Sequence, residues 1–133
     1  MRVLLVYPNR CWHPKCMSPA LAVLAGVLKK HGYEYTLADT TFDSRDKSVI
    51  KKIASFRPDL IAFSAVTTNF ANAVRLAEKS KSLFPSIPVV VGGIHPTVDP
   101  EGTISHDCFD MICVGEGEHA FLELVDSLSQ GKD

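Results

Sequence analysis

The chain has 133 residues, 46% of them apolar and 22% charged, with 14 basic residues against 15 acidic ones. That length and apolar content suit one core-forming domain and exclude intrinsic disorder. A formal charge of −1 gives no case for nucleic acid or an anionic membrane, and no apolar run reaches the ~20 residues that cross a bilayer.

Two periodicities alternate along the chain. Arg2–Tyr7 holds Val3-Leu4-Leu5-Val6, a continuous apolar run suited to a strand covered on both faces. Ser18–His31 is rich in Leu and Ala and stops at Gly32, which predicts a helix with a left-handed C-cap. A second strand is predicted at Tyr33–Ala38. Asp46–Phe56 sets Val49, Ile50 and Ile53 on one helical face and ends before Pro58. A third strand follows at Leu60–Ser64. Asn69–Phe84 then carries a stripe of Phe70, Ala73, Val74 and Ala77. Val89–Val91 reads as the fourth strand, Pro100–Ser105 as a short turn, and Met111–Val114 as the fifth strand. Glu118–Leu128 closes the chain as an amphipathic helix. Five strands alternating with helices call for parallel pairing. The fold class is α/β: a flavodoxin-like doubly wound parallel sheet, order 2-1-3-4-5, in three α/β/α layers over a single domain, 1–133.

Ligands of such sheets bind beyond the carboxyl ends of the strands. Val91-Gly92-Gly93-Ile94-His95-Pro96-Thr97 follows the fourth strand, where paired glycines let a ligand approach the backbone, although a tight turn explains one of them. Gly115-Glu116-Gly117-Glu118 opens the last helix with free amides, but its two carboxylates disfavour a phosphate there and equally serve the helix dipole. After the third strand, Thr68 or Asn69 reads as an N-cap, leaving Ser64 and Thr67 for a ligand. No Gly-x-Gly-x-x-Gly follows the first strand and no phosphate loop of the Walker type occurs. A receiver domain would need acidic residues where Asn9 and Ser64 stand.

The four cysteines (Cys11, Cys16, Cys108, Cys113) do not form a secreted disulfide framework, and no signal-peptide cleavage site is evident, so a cytoplasmic location is expected. Cys11, His13 and Cys16 lack the Cys-x-x-Cys spacing of structural zinc, and a fourth ligand would have to come from elsewhere, such as His95. No metal site is expected of them. Cys108 and Cys113 read as buried small apolar residues.

The run Val-Leu-Leu-Val-Tyr-Pro-Asn, Pro58-Asp59-Leu60-Ile61-Ala62-Phe63-Ser64, Gly92-Gly93-Ile94-His95-Pro96-Thr97 and Gly115-Glu116-Gly117-Glu118, in that order, resembles the N-terminal cobalamin-binding domain of cobalamin-dependent radical S-adenosylmethionine enzymes. The resemblance spans nearly the whole chain. It implies a nucleotide tail lined by Ser64, Thr67, Thr68, Gly92 and Gly93. The corrin would rest over Asn9, over His95, Pro96 and Thr97, and over Gly115, Glu116 and Gly117. A side chain at Gly92 or Gly93 is then expected to clash with the tail and leave the fold intact.

Cobalamin domains of mutases and methionine synthase carry Asp-x-His-x-x-Gly, whose His ligates cobalt. Here Cys11-x-His13-x-x-Cys16 keeps the His without the Asp that would orient it. The expectation is base-off cobalamin with no protein axial ligand, His13 being the one candidate. The Cys-x-x-x-Cys-x-x-Cys motif that holds the 4Fe-4S cluster of the radical domain is absent. The cluster, S-adenosylmethionine and the radical step, methyl transfer or a relative of it, are therefore expected of a C-terminal partner domain in a longer parent. The alternatives are a regulatory or interaction domain that binds no corrin, and a flavin or nucleotide binder, for which Arg10–Lys15 lacks a phosphate-cradling loop.

Overall fold

The computed structural model describes residues 1–10, 18–41 and 46–131. Five strands, β1 (Arg2–Tyr7), β2 (Glu34–Asp39), β3 (Leu60–Ser64), β4 (Val89–Gly92) and β5 (Met111–Ile112), form one sheet in the order β2-β1-β3-β4-β5. Every pairing is parallel, with Val3 opposite Tyr35 and Leu60, and Ser64 opposite Gly92.

The helices are α1 (Pro19–Lys30), α2 (Lys47–Phe56), α3 (Phe70–Leu83), α4 (Ile94–Val98), α5 (Pro100–Ile104) and α6 (Gly117–Ser129), with a 3-10 turn at Thr67–Asn69. Ser18 starts α1, its Oγ accepting from the Leu21 amide at 3.4 Å, with Pro19 at the first helical position. Gly32 follows that helix at φ +77. The segment after Gly93, expected to be loop with a short turn at Pro100–Ser105, instead makes the short α4 and α5. Asp99 links them, accepting through Oδ1 from the Gly102 amide at 3.0 Å.

Alternation along the strands splits the core in two. Leu4, Val6, Ile61, Phe63, Val89 and Val91 face α2 and α3, where Val49, Ile53, Ala73, Leu76 and Ala77 are buried. Val3, Leu5, Leu60, Ala62 and Val90 face α1 and α6, meeting Leu21, Leu28, Phe121 and Val125. This is the expected three-layer order, with the helix N-termini at the carboxyl edge of the sheet, because each helix returns antiparallel to its strand.

An ion-paired knot ties that edge on the α2–α3 side. Buried Asp46 sits at the start of α2 with φ +58 and accepts from Arg10 and from both terminal nitrogens of Arg75. Asn72 Nδ2 donates to the Pro8 carbonyl at 2.7 Å. The Arg75 guanidinium holds the Asp46 carboxyl below the usual carboxylate range against the opposing effect of burial.

Candidate functional site

On the α1–α6 face the sheet loses side-chain volume toward its carboxyl edge. Inward positions on β3 run Leu60, Ala62, Ser64, and on β4 Val90 is followed by Gly92. The opposite face keeps Ile61, Phe63, Val89 and Val91 and is filled. A cavity of about 350 Å³ opens where the volume falls away. Ser64, Gly92, Gly93, Ile94, Thr97, Val98 and Cys113 form its sheet side and rim. Leu21 and Leu24 of α1, and Gly115 through Glu118 with Phe121 of α6, complete it.

Every element turns from small or polar to apolar going inward: Ser64 to Ala62, Gly92 to Val90, Ala20 to Leu24, Gly117 to Phe121. No Lys or Arg among the described residues lines the cavity, whereas Glu116 and Glu118 do. The chamber therefore suits a neutral, mostly apolar group entering from the carboxyl edge, and does not suit a buried phosphate. Ile94 and Val98 are left 62% and 74% exposed at its mouth. Large apolar side chains this bare beside a cavity mark a surface that something covers.

The glycines play different parts. Gly93 has φ +107, and a Cβ there would lie 2.6 Å from the Ala65 carbonyl oxygen, so its freedom serves the fold. Gly92 and Gly117 have no positive φ. A Cβ at Gly92 would lie 3.3 Å from the Cys113 Cβ, and one at Gly117 meets only ordinary contacts, with Cys113 Sγ and Leu24 Cδ2. Backbone geometry does not require glycine at 117, and a side chain there would take up room in the chamber that Gly117 lines. Thr97 joins two of the loops, its hydroxyl donating to the Gly93 carbonyl at 2.8 Å and accepting from the Gly115 amide at 3.0 Å.

Of the residues singled out from sequence, Ser64, Gly92, Gly93, Thr97, Gly115, Glu116 and Gly117 line the cavity, and the others lie elsewhere. Asn9 is buried, its Nδ2 donating to Thr41 Oγ1 at 3.1 Å and its carbonyl accepting from Thr40. His95 faces the α3 side, stacked on Phe70 with centroids 3.8 Å apart and its Nδ1 3.3 Å from the Thr67 hydroxyl. Helical spacing explains the split: Ile94, Thr97 and Val98 share one face of α4, and His95 lies off it. Pro96 is buried, and Thr68 is exposed on the 3-10 turn. Asn69 stands at the α3 N-cap position but turns its Oδ1 back to accept from the Val66 amide at 2.9 Å. Cys11, His13 and Cys16 lie outside the described residues.

Cys113, read as an ordinary core thiol, lines the cavity. Burial, then the Glu118 carboxylate, push its thiol above the ordinary range, so it is neutral at pH 7. Buried Cys108 is pushed up to about 11, chiefly by desolvation. Among the described residues no cluster of His, Cys, Asp or Glu could hold a metal ion, and no helix is long and apolar enough to cross a membrane.

An apolar slot at the carboxyl edge of a doubly wound parallel sheet, walled by glycines and lined by no Lys or Arg among the described residues, defines a small-molecule-binding α/β domain. The class narrows to one family, because the chain matches the B12 binding domain over residues 2–125 and belongs to that family. It is 34% identical to an anaerobic magnesium-protoporphyrin IX monomethyl ester cyclase of Rubrivivax gelatinosus, over 99% of this chain and 25% of that protein. It is 28% identical to the cobalamin-dependent radical SAM methyltransferase TokK of Streptomyces tokunonensis, over 80% of this chain and 17% of that one. The radical S-adenosylmethionine methyltransferase TsrM from Kitasatospora setae, solved with cobalamin and a 4Fe-4S cluster bound, superimposes with a TM-score of 0.88 at 28% identity, covering 99% of this chain and 25% of that one. The chain spans about a quarter or less of the length of these relatives.

Proposed function

We propose that this domain holds cobalamin base-off, with the nucleotide tail in the slot between the sheet and α1 and α6. The observation that carries the reading is the inward taper from Ser64, Gly92 and Gly117 to Ala62, Val90, Leu24 and Phe121. A tail still folded under the corrin would have no use for such a slot, and a detached one needs it. Ser64 would offer its hydroxyl to the base, and Gly92 and Gly117 would leave room for it. The corrin would cover Ile94 and Val98. Bound cobalamin supplies cobalt-centred methyl-transfer or radical chemistry, and the domain's part is to bind and orient it.

The domain would serve a longer protein whose remaining portion carries the radical S-adenosylmethionine machinery, as in the relatives named above. A cytoplasmic setting fits the free thiols of Cys108 and Cys113.

Anaerobic titration with hydroxocobalamin, then gel filtration and absorption spectroscopy, tests the reading on the wild-type domain and on Gly117→Leu. The wild type is expected to retain one corrin with a base-off spectrum. Gly117→Leu places a side chain in the slot at a helical position with no backbone strain, so it is expected to keep its circular dichroism and lose the corrin. A Gly117→Leu domain that binds as tightly as wild type, or a base-on spectrum, refutes tail insertion.

A further inference from the structure

Resting on the reading that the tail enters this slot, we infer that the slot selects among corrinoids by the base they carry, accepting benzimidazoles and rejecting purines. The argument is a count of polar groups. The inner wall consists of Leu21, Leu24, Ala62, Val90 and Phe121, which offer no side-chain donor or acceptor. The backbone of β3 and β4 is committed to the sheet ladder.

At the edge, besides the backbone amides that open α6, few polar side chains among the described residues line the cavity. The Thr97 hydroxyl already donates to Gly93 and accepts from Gly115. The Cys113 thiol is a weak donor. Glu116 and Glu118 line the cavity where α6 begins and offer carboxylate oxygens, which accept. The Ser64 hydroxyl remains, facing the cavity from the last residue of β3.

A benzimidazole released from cobalt presents a single free ring nitrogen, an acceptor, and one hydroxyl satisfies it. Its remaining edge is carbon and suits the apolar wall. Adenine, the base of pseudocobalamin, carries the equivalent nitrogen together with two more ring nitrogens and an amino group. Inside the slot these would exchange water for Leu21, Leu24, Val90 and Phe121 and find no side-chain partner among the described residues. Each buried polar group left unpaired weakens binding by roughly tenfold. Even if the amino group reached a carboxylate and one ring nitrogen a helix amide at the mouth, the other ring nitrogen would stay orphaned against the apolar side chains. Discrimination between the two corrinoids of at least about tenfold follows.

The test compares three corrinoids on the wild-type domain by anaerobic titration, reading the absorption change of the bound form: hydroxocobalamin, the adenine-based pseudocobalamin, and cobinamide, which has no nucleotide tail. The expected order is cobalamin tightest, pseudocobalamin at least tenfold weaker, and cobinamide weaker than cobalamin. Equal binding of cobalamin and pseudocobalamin, with cobinamide weaker than both, overturns base selection and leaves tail insertion standing. Cobinamide binding as tightly as cobalamin shows that the slot holds no tail and overturns both, as does failure of all three to bind. An Ala62→Ser variant adds a check, because a second hydroxyl on the inner wall is expected to narrow the preference for cobalamin over pseudocobalamin, and an unchanged ratio contradicts the count.

Discussion

Gly93 is the position where fold and ligand make opposite predictions about one substitution. In Gly93→Ala the new Cβ would stand 2.6 Å from the Ala65 carbonyl oxygen and 3.1 Å from the Ala65 amide nitrogen, on a backbone with φ +107. Holding an L-residue in such a region costs about 1–3 kcal/mol. Ala65 cannot retreat freely, because its amide donates to the Gly92 carbonyl at 2.8 Å and its carbonyl accepts from the His95 amide at 3.2 Å. Stretching those two bonds adds about 1 kcal/mol each, giving roughly 3–5 kcal/mol in all. That is a large part of the 5–15 kcal/mol typical of a domain, so the urea midpoint is expected to fall by about 2 M without any ligand present. Urea unfolding of the apo protein followed by circular dichroism reads this directly. A midpoint within about 0.3 M of wild type would refute the intramolecular account and restore the expectation that this glycine exists for the ligand. The paired control is Gly92→Ala, where Cys113 must give only a few tenths of an ångström. There the midpoint is expected to move by less than about 0.5 M while corrin binding weakens.

Asp46→Asn keeps the shape of the side chain and tolerates its φ of +58 but removes the charge that Arg10 and Arg75 share. Because both arginines are partly exposed, the expected loss at pH 7 is about 2 kcal/mol, measured by urea unfolding. The folded Asp46 pKa lies below its unfolded value. Its contribution is therefore complete above the ordinary carboxylate range and is lost as the pH falls through the folded value, so wild-type and variant stabilities should converge in acid. Parallel stability curves at every pH would remove Asp46 from the account. Cys113, with its thiol raised by burial and by Glu118, is expected to alkylate slowly at pH 7. Its rate should still climb where an ordinary thiol levels off, and it should be shielded further by bound corrin. Peptide-resolved mass spectrometry after iodoacetamide reads all three effects, and equal labelling with and without corrin would mean that the cavity wall stays open in the complex.

The strands were legible because each is an apolar run of the length a doubly covered sheet requires, and the 2-1-3-4-5 order followed from alternating strands and helices. The loops at Gly92-Gly93 and Gly115–Gly117 were legible by composition, since glycines clustered at strand ends have few uses. Which glycine serves which end was not. Gly92 and Gly93 are neighbours in sequence, yet one abuts Cys113 and the other needs φ +107 against Ala65, a difference set by how β3 and β4 hold their loops. The setting of His95 was not legible for a similar reason: the segment coils into α4, and one residue of offset sets its ring against Phe70.

The slot itself was written in the alternation of β3, where Leu60 gives way to the small Ala62 and Ser64 while Ile61 and Phe63 stay large. Read on one strand that is an unremarkable variation. It becomes a binding surface once the sheet sets Gly92 beside Ser64, and once α1 and α6, returning antiparallel, bring their own small and polar first turns to the same edge. Four segments far apart in sequence each give up volume at one end only. A stable core has no reason to do that four times at the same place, because each missing methylene there costs about 0.8 kcal/mol of burial. Something else must occupy the space, and a wall that is mostly apolar and carries no Lys or Arg among the described residues suits an occupant that is mostly apolar and uncharged.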